Sequence, residues 1–318
     1  MSIETSIVVL DEGRLLDGGL DWAGLGELGR LTVHPRTAKG EVVARAAGAQ
    51  ILLTNKTPLD AATLGALPDL RFISVLATGH NVVDSAAARE RGIPVSNVPS
   101  YGTDSVAQHV FALILELCNR AGRNADATAA GRWAASGEWC APVTPVVELD
   151  GLVLGLIGRG RIAHRVAEIG RAFGLRVLMS SPSRPEGGDH LAPLDETIAS
   201  ADILSLHCQL TPGTAGMVDA TFLRRMKKSA FLINTARGGL VNEPDLAAAL
   251  ASGRLAGAGL DVLCAEPPAP DHPLCALPNC VVTPHMAWMG PVARRRLIDT
   301  TVENVRAFLA GHPVNVVN

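Results

Sequence analysis

Aromatic residues make up only 3% of this 318-residue chain, with a single tyrosine, and no stripe of lysine or arginine runs through it. Without aromatic platforms interleaved with basic residues, a dedicated nucleic-acid binder is excluded. The formal charge of −3 fits a small charged partner instead. Cysteine is sparse as well. Cys118, Cys140, Cys208, Cys264, Cys275 and Cys280 form no CxxC pair and no secreted-domain spacing, so reduced thiols and no metal are expected. No segment approaches the ~18 apolar residues of a membrane span. The opening MSIETSIVVL, with Glu4 and a short apolar run, does not read as a signal peptide. The closing PVNVVN is neither a lipidation signal nor a peroxisomal address. Together these lacks predict a cytoplasmic protein.

What is present points to packed globular structure. The apolar fraction is 47% and the charged fraction 19%, and a chain this long predicts two domains, since single domains usually run about 100 to 200 residues. Short β-branched runs alternate with alanine-rich stretches: SIVVL, TAKGEVVARAAG, QILLT, DAATLGAL, FISVL, DSAAARERG. That alternation is the mark of βαβ units and a mostly parallel sheet. A turn-rich break, VPSYGT, precedes DSVAQHVFALILELCNR, whose periodicity predicts a long buried helix. After a loop containing Trp133 and Trp139, alternation resumes through LVLGLIG, LRVLM, DILSLH, AFLINT, GAGLDV and CVVTP, the last reading as a buried strand. A helix from about Pro291 to Gly311, with no strand after it, closes the chain.

One turn in the second half carries chemistry. LVLGLIGRGRIAHRVAEIG places Gly158, Gly160 and Ala163 in G-x-G-x-x-G/A spacing, between a strand and a helix. Gly158 permits the tight turn, Gly160 lets a pyrophosphate approach the backbone, and Ala163 lets the helix lie on the strand. The helix N-terminus then offers amide donors and positive potential. The next strand should end in an acid to accept from the adenosine ribose, yet the chain reads RVLMSSPSRPE. Ser180 and Ser181 stand where that carboxylate belongs, and Arg184 follows. Hydroxyls and a guanidinium suit a 2′-phosphate that an acid would repel, so NADP(H) is favoured over NAD(H).

Three polar residues each lie just past a strand of the second half: Arg237 in NTARGGLVNEPDL, Glu266 in LDVLCAEPP and His285 in TPHMAW. Ligands of open α/β sheets bind outside the carboxyl ends of the strands, where these three would converge. The chain here resembles the D-isomer-specific 2-hydroxyacid dehydrogenases, in particular their glycerate dehydrogenase (hydroxypyruvate reductase) branch. The likeness rests on VLATGHNVVDSAAARERGIPVSNVPSYGTDSVAQHVFALILEL, GLIGRGRIA, SLHCQLTP, INTARGGLVNEPDLAAAL, GLDVLCAEPP and TPHMAW.

The resemblance implies two Rossmann-like or flavodoxin-like doubly wound α/β domains with an active-site cleft between them. The substrate domain would be residues 1–99 with 290–318, and the cofactor domain residues 100–289. It implies a triad. His285 would be the general acid, Glu266 would orient its imidazole, and Arg237 would fork onto the substrate carboxylate and polarise the carbonyl. The backbone of Ala77, Thr78 and Gly79 would face the same carboxylate. Arg161 and Ile162 would lie at the pyrophosphate, Thr211 and Pro212 beside the adenosine, Thr235 and Ala236 along the coenzyme, and Asp261 at the nicotinamide carboxamide. His109 and His207 read as structural hydrogen-bonders, and His80 as lining the pocket or facing solvent. Leu76 stands where phosphoglycerate-type relatives carry arginine, which speaks against a phosphorylated substrate.

The expected reaction is reduction of a small 2-oxo acid to the D-2-hydroxy acid, hydroxypyruvate to D-glycerate and glyoxylate to glycolate, in a homodimer built by the long helix and the tryptophan-bearing arm. Alternatives are another small acid as substrate, or a dinucleotide-sensing corepressor with weak turnover. Neither nucleic acid nor membrane is an expected partner.

Overall fold

The computed structural model describes residues 4–14, 21–187 and 191–318; Met1, Ser2 and Ile3 of the opening segment lie outside them. The chain divides into two units, Met1–Gly102 with Met289–Asn318, and Thr103–Trp288. In the first unit, β1 (Ser6–Val9), β2 (Arg30–Val33), β3 (Ile51–Thr54), β4 (Phe72–Val75) and β5 (Val95–Ser96) pair in parallel in the order β2-β1-β3-β4-β5. This is the flavodoxin-like order.

β1, β3 and β4 are buried at every position because both faces are covered, as parallel sheets require. Val8, Leu52, Ile73 and Val75 pack on one face with Leu59, Leu64 and Ala88. Phe72, pointing the other way, stacks on Phe308 of the helix Pro291–Leu309 with ring centroids 4.5 Å apart. β2 escaped the sequence reading because it is an edge strand whose residues alternate between exposed and half-buried, leaving no continuous apolar run. No strand follows the closing helix among the described residues, though an isolated bridge joins Ser96 to Val316 and the Val317 amide donates to the Val95 carbonyl at 2.8 Å.

In the second unit, β6 (Val153–Ile157), β7 (Arg176–Ser180), β8 (Ile203–Leu206), β9 (Phe231–Asn234), β10 (Gly257–Leu260) and β11 (Cys280–Val282) form a parallel sheet ordered β11-β10-β9-β8-β6-β7. Leu154, Leu156, Ile203, Phe231 and Ile233 pack toward the helices Thr103–Asn119 and Arg161–Ala172. Their neighbours Ile157, Leu204, Leu206, Leu232 and Leu260 pack the opposite way, against Phe222, Leu246 and Leu250. The alternation of strand side chains thus builds two core layers from one sheet.

Register positions everything that follows. Ser180 pairs with Ile157, Ile157 with Leu206, Leu206 with Asn234, Asn234 with Leu260, and Leu260 with Val282. The six strands therefore end level, in one row. Two expectations need correction. The segment with Trp133 and Trp139 is not simply a loop, since Ala121–Ala129 and Arg132–Ser136 are helical. β11 is half-buried rather than buried, because it is the sheet's edge and has one neighbour. Among the described residues no helix is long and apolar enough to cross a membrane.

Candidate active site

The glycine turn leaves the row at β6. Gly158 has φ +131°, and a Cβ there would lie 2.5 Å from the His207 carbonyl oxygen, so the β6 turn closes tightly on the end of β8 only without a side chain. Gly160 is the N-cap of the helix Arg161–Ala172 and has no side chain to cap it, and a Cβ on Gly160 would meet nothing within 4 Å. A helix N-terminus behind a residue with open space beside it suits a pyrophosphate. Ala163 is fully buried against the sheet, while Arg161 is exposed and Ile162 half-buried.

Further along the row, Ser180 Oγ and Thr235 Oγ1 are buried without a hydrogen-bond partner among the described residues. Orphaned hydroxyls of this kind call for a ligand or water. Ser181 shares a 2.9 Å bond with Ser183, and Ser181 bridges Arg184. Ser183 was missed in the sequence, where it reads as one more turn serine. Thr211 and Pro212 lie exposed past β8, and Ala236 is half-buried past β9. The chain's own residues fit a dinucleotide along this edge.

The catalytic candidates occupy the other end. His285 Nδ1 meets Glu266 Oε2 at 2.6 Å, and Glu266 Oε1 accepts the Leu263 amide at 3.1 Å. With Nδ1–H donated to the carboxylate, Nε2 is the ring atom left for proton transfer. Both side chains remain partly open, 27% and 36% exposed. Arg237 is exposed on a turn that Asn234 holds at both ends, its Oδ1 accepting the Ala236 amide and its Nδ2 donating to the Arg237 carbonyl. Asn234 escaped the sequence reading. Its only signal there is an amide ending an otherwise apolar strand.

His285 itself sits in the left-handed region, φ +53°, a conformation that costs a non-glycine residue about 1–2 kcal/mol. Asp261 holds it there. Its Oδ1 accepts from the Met286 amide (2.9 Å) and Thr283 Oγ1 (2.7 Å), and its Oδ2 from the Ala287 amide (2.9 Å). His109 Nε2 lies 2.9 Å from Thr283 Oγ1 and 3.3 Å from Asp261 Oδ1. Because the threonine hydroxyl already donates to Asp261, His109 must carry its proton on Nε2. Burial would raise the Asp261 carboxyl, but the bonds from His109, Thr283, Ala287 and Met286 outweigh it and hold it below the ordinary carboxylate value. Asp261, expected at the nicotinamide carboxamide, is 1% exposed, and in this structure its contacts brace the histidine turn.

In the first unit, residues 77–79 form a turn past β4. The Val98 amide donates to the Ala77 carbonyl, Thr78 Oγ1 donates to the Val98 carbonyl, and Asn97 Nδ2 donates to the Thr78 carbonyl. Thr78 is exposed and Gly79 half-buried. His80 Nδ1 lies 3.4 Å from Ser85 Oγ. Leu76 is fully buried in the core.

Known proteins resemble this chain over most of its length. The family model for the D-isomer specific 2-hydroxyacid dehydrogenase NAD binding domain matches residues 111–287. A hydroxypyruvate reductase of Blautia hydrogenotrophica is 43% identical over 98% of this chain and 99% of its own. A glycerate dehydrogenase of Methylorubrum extorquens is 43% identical over 87% of this chain and 88% of its own. The NADPH-dependent glyoxylate/hydroxypyruvate reductase of Sinorhizobium meliloti, solved with NADP and malonate, superposes with a TM-score of 0.85 at 28% identity, covering 99% of this chain and 97% of that one. A glycine turn built for a dinucleotide, a carboxylate-held histidine and an arginine turn on one sheet edge, together with these likenesses, show that the chain belongs to the D-isomer-specific 2-hydroxyacid dehydrogenase family, oxidoreductases that use a nicotinamide dinucleotide.

Proposed function

We propose that this enzyme reduces hydroxypyruvate to D-glycerate and glyoxylate to glycolate, with NADP(H) preferred over NAD(H). The observation that carries the reading is the 2.6 Å contact between His285 and Glu266, which leaves the imidazole Nε2 for a substrate oxygen. The nicotinamide dinucleotide, when bound, supplies the hydride to the carbonyl carbon. His285 Nε2 delivers the proton to the carbonyl oxygen, and in the oxidative direction takes it back. Glu266 keeps the imidazole in one tautomer and one orientation. Arg237 holds the substrate carboxylate as a planar fork and places a further donor near the carbonyl oxygen. Substrate choice follows the relatives named hydroxypyruvate reductase and glycerate dehydrogenase.

Coenzyme preference rests on Ser180, Ser181 and Arg184 at the end of β7, where no acid stands to repel a 2′-phosphate, with Ser183 adding a hydroxyl. Arg161, Ile162, Thr211, Pro212, Thr235 and Ala236 line the rest of the coenzyme. A homodimer completes the reading, supported by the exposure of Trp133 and Trp139.

The experiment measures NADPH and NADH consumption against hydroxypyruvate, glyoxylate, pyruvate and phosphohydroxypyruvate, with Ser181→Asp run beside the wild type. Hydroxypyruvate should give the highest kcat/KM with NADPH, and Ser181→Asp should shift preference toward NADH. Sluggish turnover with every acid would defeat the substrate assignment, and an unchanged coenzyme ratio in the variant would defeat the NADP(H) assignment.

A further inference from the structure

The turn bearing Arg237 and the turn bearing Glu266 meet at one peptide bond, between Leu263 and Cys264. On one side lies Gly238, where an added Cβ would overlap the Leu263 carbonyl and the Cys264 nitrogen. On its nitrogen, the Cys264 amide donates to Glu243 Oε1 at 2.8 Å. One residue earlier, the Leu263 amide donates to Glu266 Oε1. Two glutamates therefore take successive amides of one short segment. One is the carboxylate that holds His285. The other lies at the start of the helix Glu243–Ala251, six residues beyond Arg237.

Glu243 is itself held. Its Oε2 lies 3.3 Å from His272 Nε2, and the two side chains are only 16% and 13% exposed. Cys264 Sγ faces the Val241 carbonyl at 3.8 Å, and the Val241 amide donates to the Gly238 carbonyl at 2.9 Å. Residues 237–243 thus form a continuous brace, with the exposed arginine at one end and an anchored carboxylate at the other. The pieces it touches are those that set where Glu266 points.

We propose that Glu243 is a positioning residue for the reaction: by clamping the Cys264 amide it fixes the segment from which Glu266 reaches His285, and Gly238 keeps that segment in contact with the arginine turn. This rests on the reading of Glu266 and His285 as the proton-transfer pair. Glu243 touches neither substrate nor coenzyme. Its loss acts on the orientation of the acid and so on kcat, leaving binding of either ligand intact.

The test is a double-mutant cycle between Glu243→Ala and Glu266→Gln, read as kcat, KM and coenzyme Kd with the best 2-oxo acid. A charge-assisted bond from the Cys264 amide to a carboxylate that is itself only 16% exposed predicts a kcat loss of about 10-fold or more in Glu243→Ala, with KM and coenzyme Kd within about 2-fold. In the Glu266→Gln background, where the carboxylate is already gone, the further loss should shrink to within about 2-fold. Glu243→Gln, which keeps an acceptor for the Cys264 amide, should restore most of the rate. Full activity in Glu243→Ala, an equal loss in both backgrounds, or a matching rise in KM and coenzyme Kd would each overturn the proposal. If Glu243→Ala does not yield folded protein, Glu243→Gln carries the cycle: a milder kcat loss confined to the Glu266 background supports the brace, and equal losses in both backgrounds overturn it. Should the wild type turn over no 2-oxo acid, the functional reading fails, and the brace is judged from crystals of the Glu243 variant. There a retained 2.6 Å contact between His285 and Glu266 overturns the brace, and a lengthened one supports it.

Discussion

At the scale of single residues, the sheet edge shows how one polar group is spent on holding another. Asp261 has its carboxylate committed to Thr283, Met286 and Ala287, and this keeps His285 in a backbone conformation it would otherwise leave. His207, at the end of β8, behaves differently. Its ring meets the Ser205 hydroxyl at 2.9 Å, and burial pushes its imidazole down from 6.5 to about 4. The unfolded chain takes up a proton near pH 6.5 that the folded chain refuses until about pH 4. Stability from this group is thus fully present above pH 6.5 and falls through that window, by at most about 1.4 kcal/mol per pH unit. Urea midpoints recorded at pH 7, 5.5 and 4.5 should show that slope, and His207→Gln should flatten it by one proton's worth. An identical pH dependence in the variant would show that His207 is not the group responsible.

At the scale of elements, the turn from β6 into the helix Arg161–Ala172 does the most with the least. Gly158 combines φ +131° with a close approach to the His207 carbonyl, so Gly158→Ala meets both a backbone penalty and a steric one. A loss of about 1–3 kcal/mol of stability is expected from urea titration. Coenzyme binding, followed by quenching of tryptophan fluorescence, should weaken at least 10-fold, because the helix N-terminus no longer meets the row of strand ends at the same angle. Wild-type affinity in a destabilised Gly158→Ala protein would mean that the turn serves folding alone. The glycine spacing was legible because it is local. The long helix Thr103–Asn119 was legible for the same reason, from periodicity over 17 residues. Edge strand β2 and the helices of the arm were not, because half-exposed elements carry no strong apolar period.

At the scale of the molecule, the chain leaves the first unit at Gly102 and returns at Met289, so that unit is sealed by its own C-terminal helix. The second unit carries an arm that it leaves open: Trp133 is 47% exposed, Trp139 88% and Val146 63%. Large apolar side chains exposed together on one segment mark a contact surface. Light scattering at micromolar concentration should give twice the mass of one chain, and Trp139→Ser should shift the balance toward monomer. A monodisperse wild-type monomer would refute the homodimer.

The amino-acid sequence alone determined the parts whose physics is short-ranged: the parallel α/β class, the glycine turn, and the residue types Arg237, Glu266 and His285 placed just past strand ends. Only the tertiary structure decided how those parts act on one another. Level register across β9, β10 and β11 alone brings Asn234 and Val282, nearly fifty positions apart, to one edge, and the contact of His285 with Glu266 spans 19 residues that no local pattern links. Asn234, Glu243 and Gly238 drew no notice in one dimension because each looks like an ordinary polar or turn residue there. Their roles come from the chain segment packed against them, and that neighbour is set by the folding of the whole sheet.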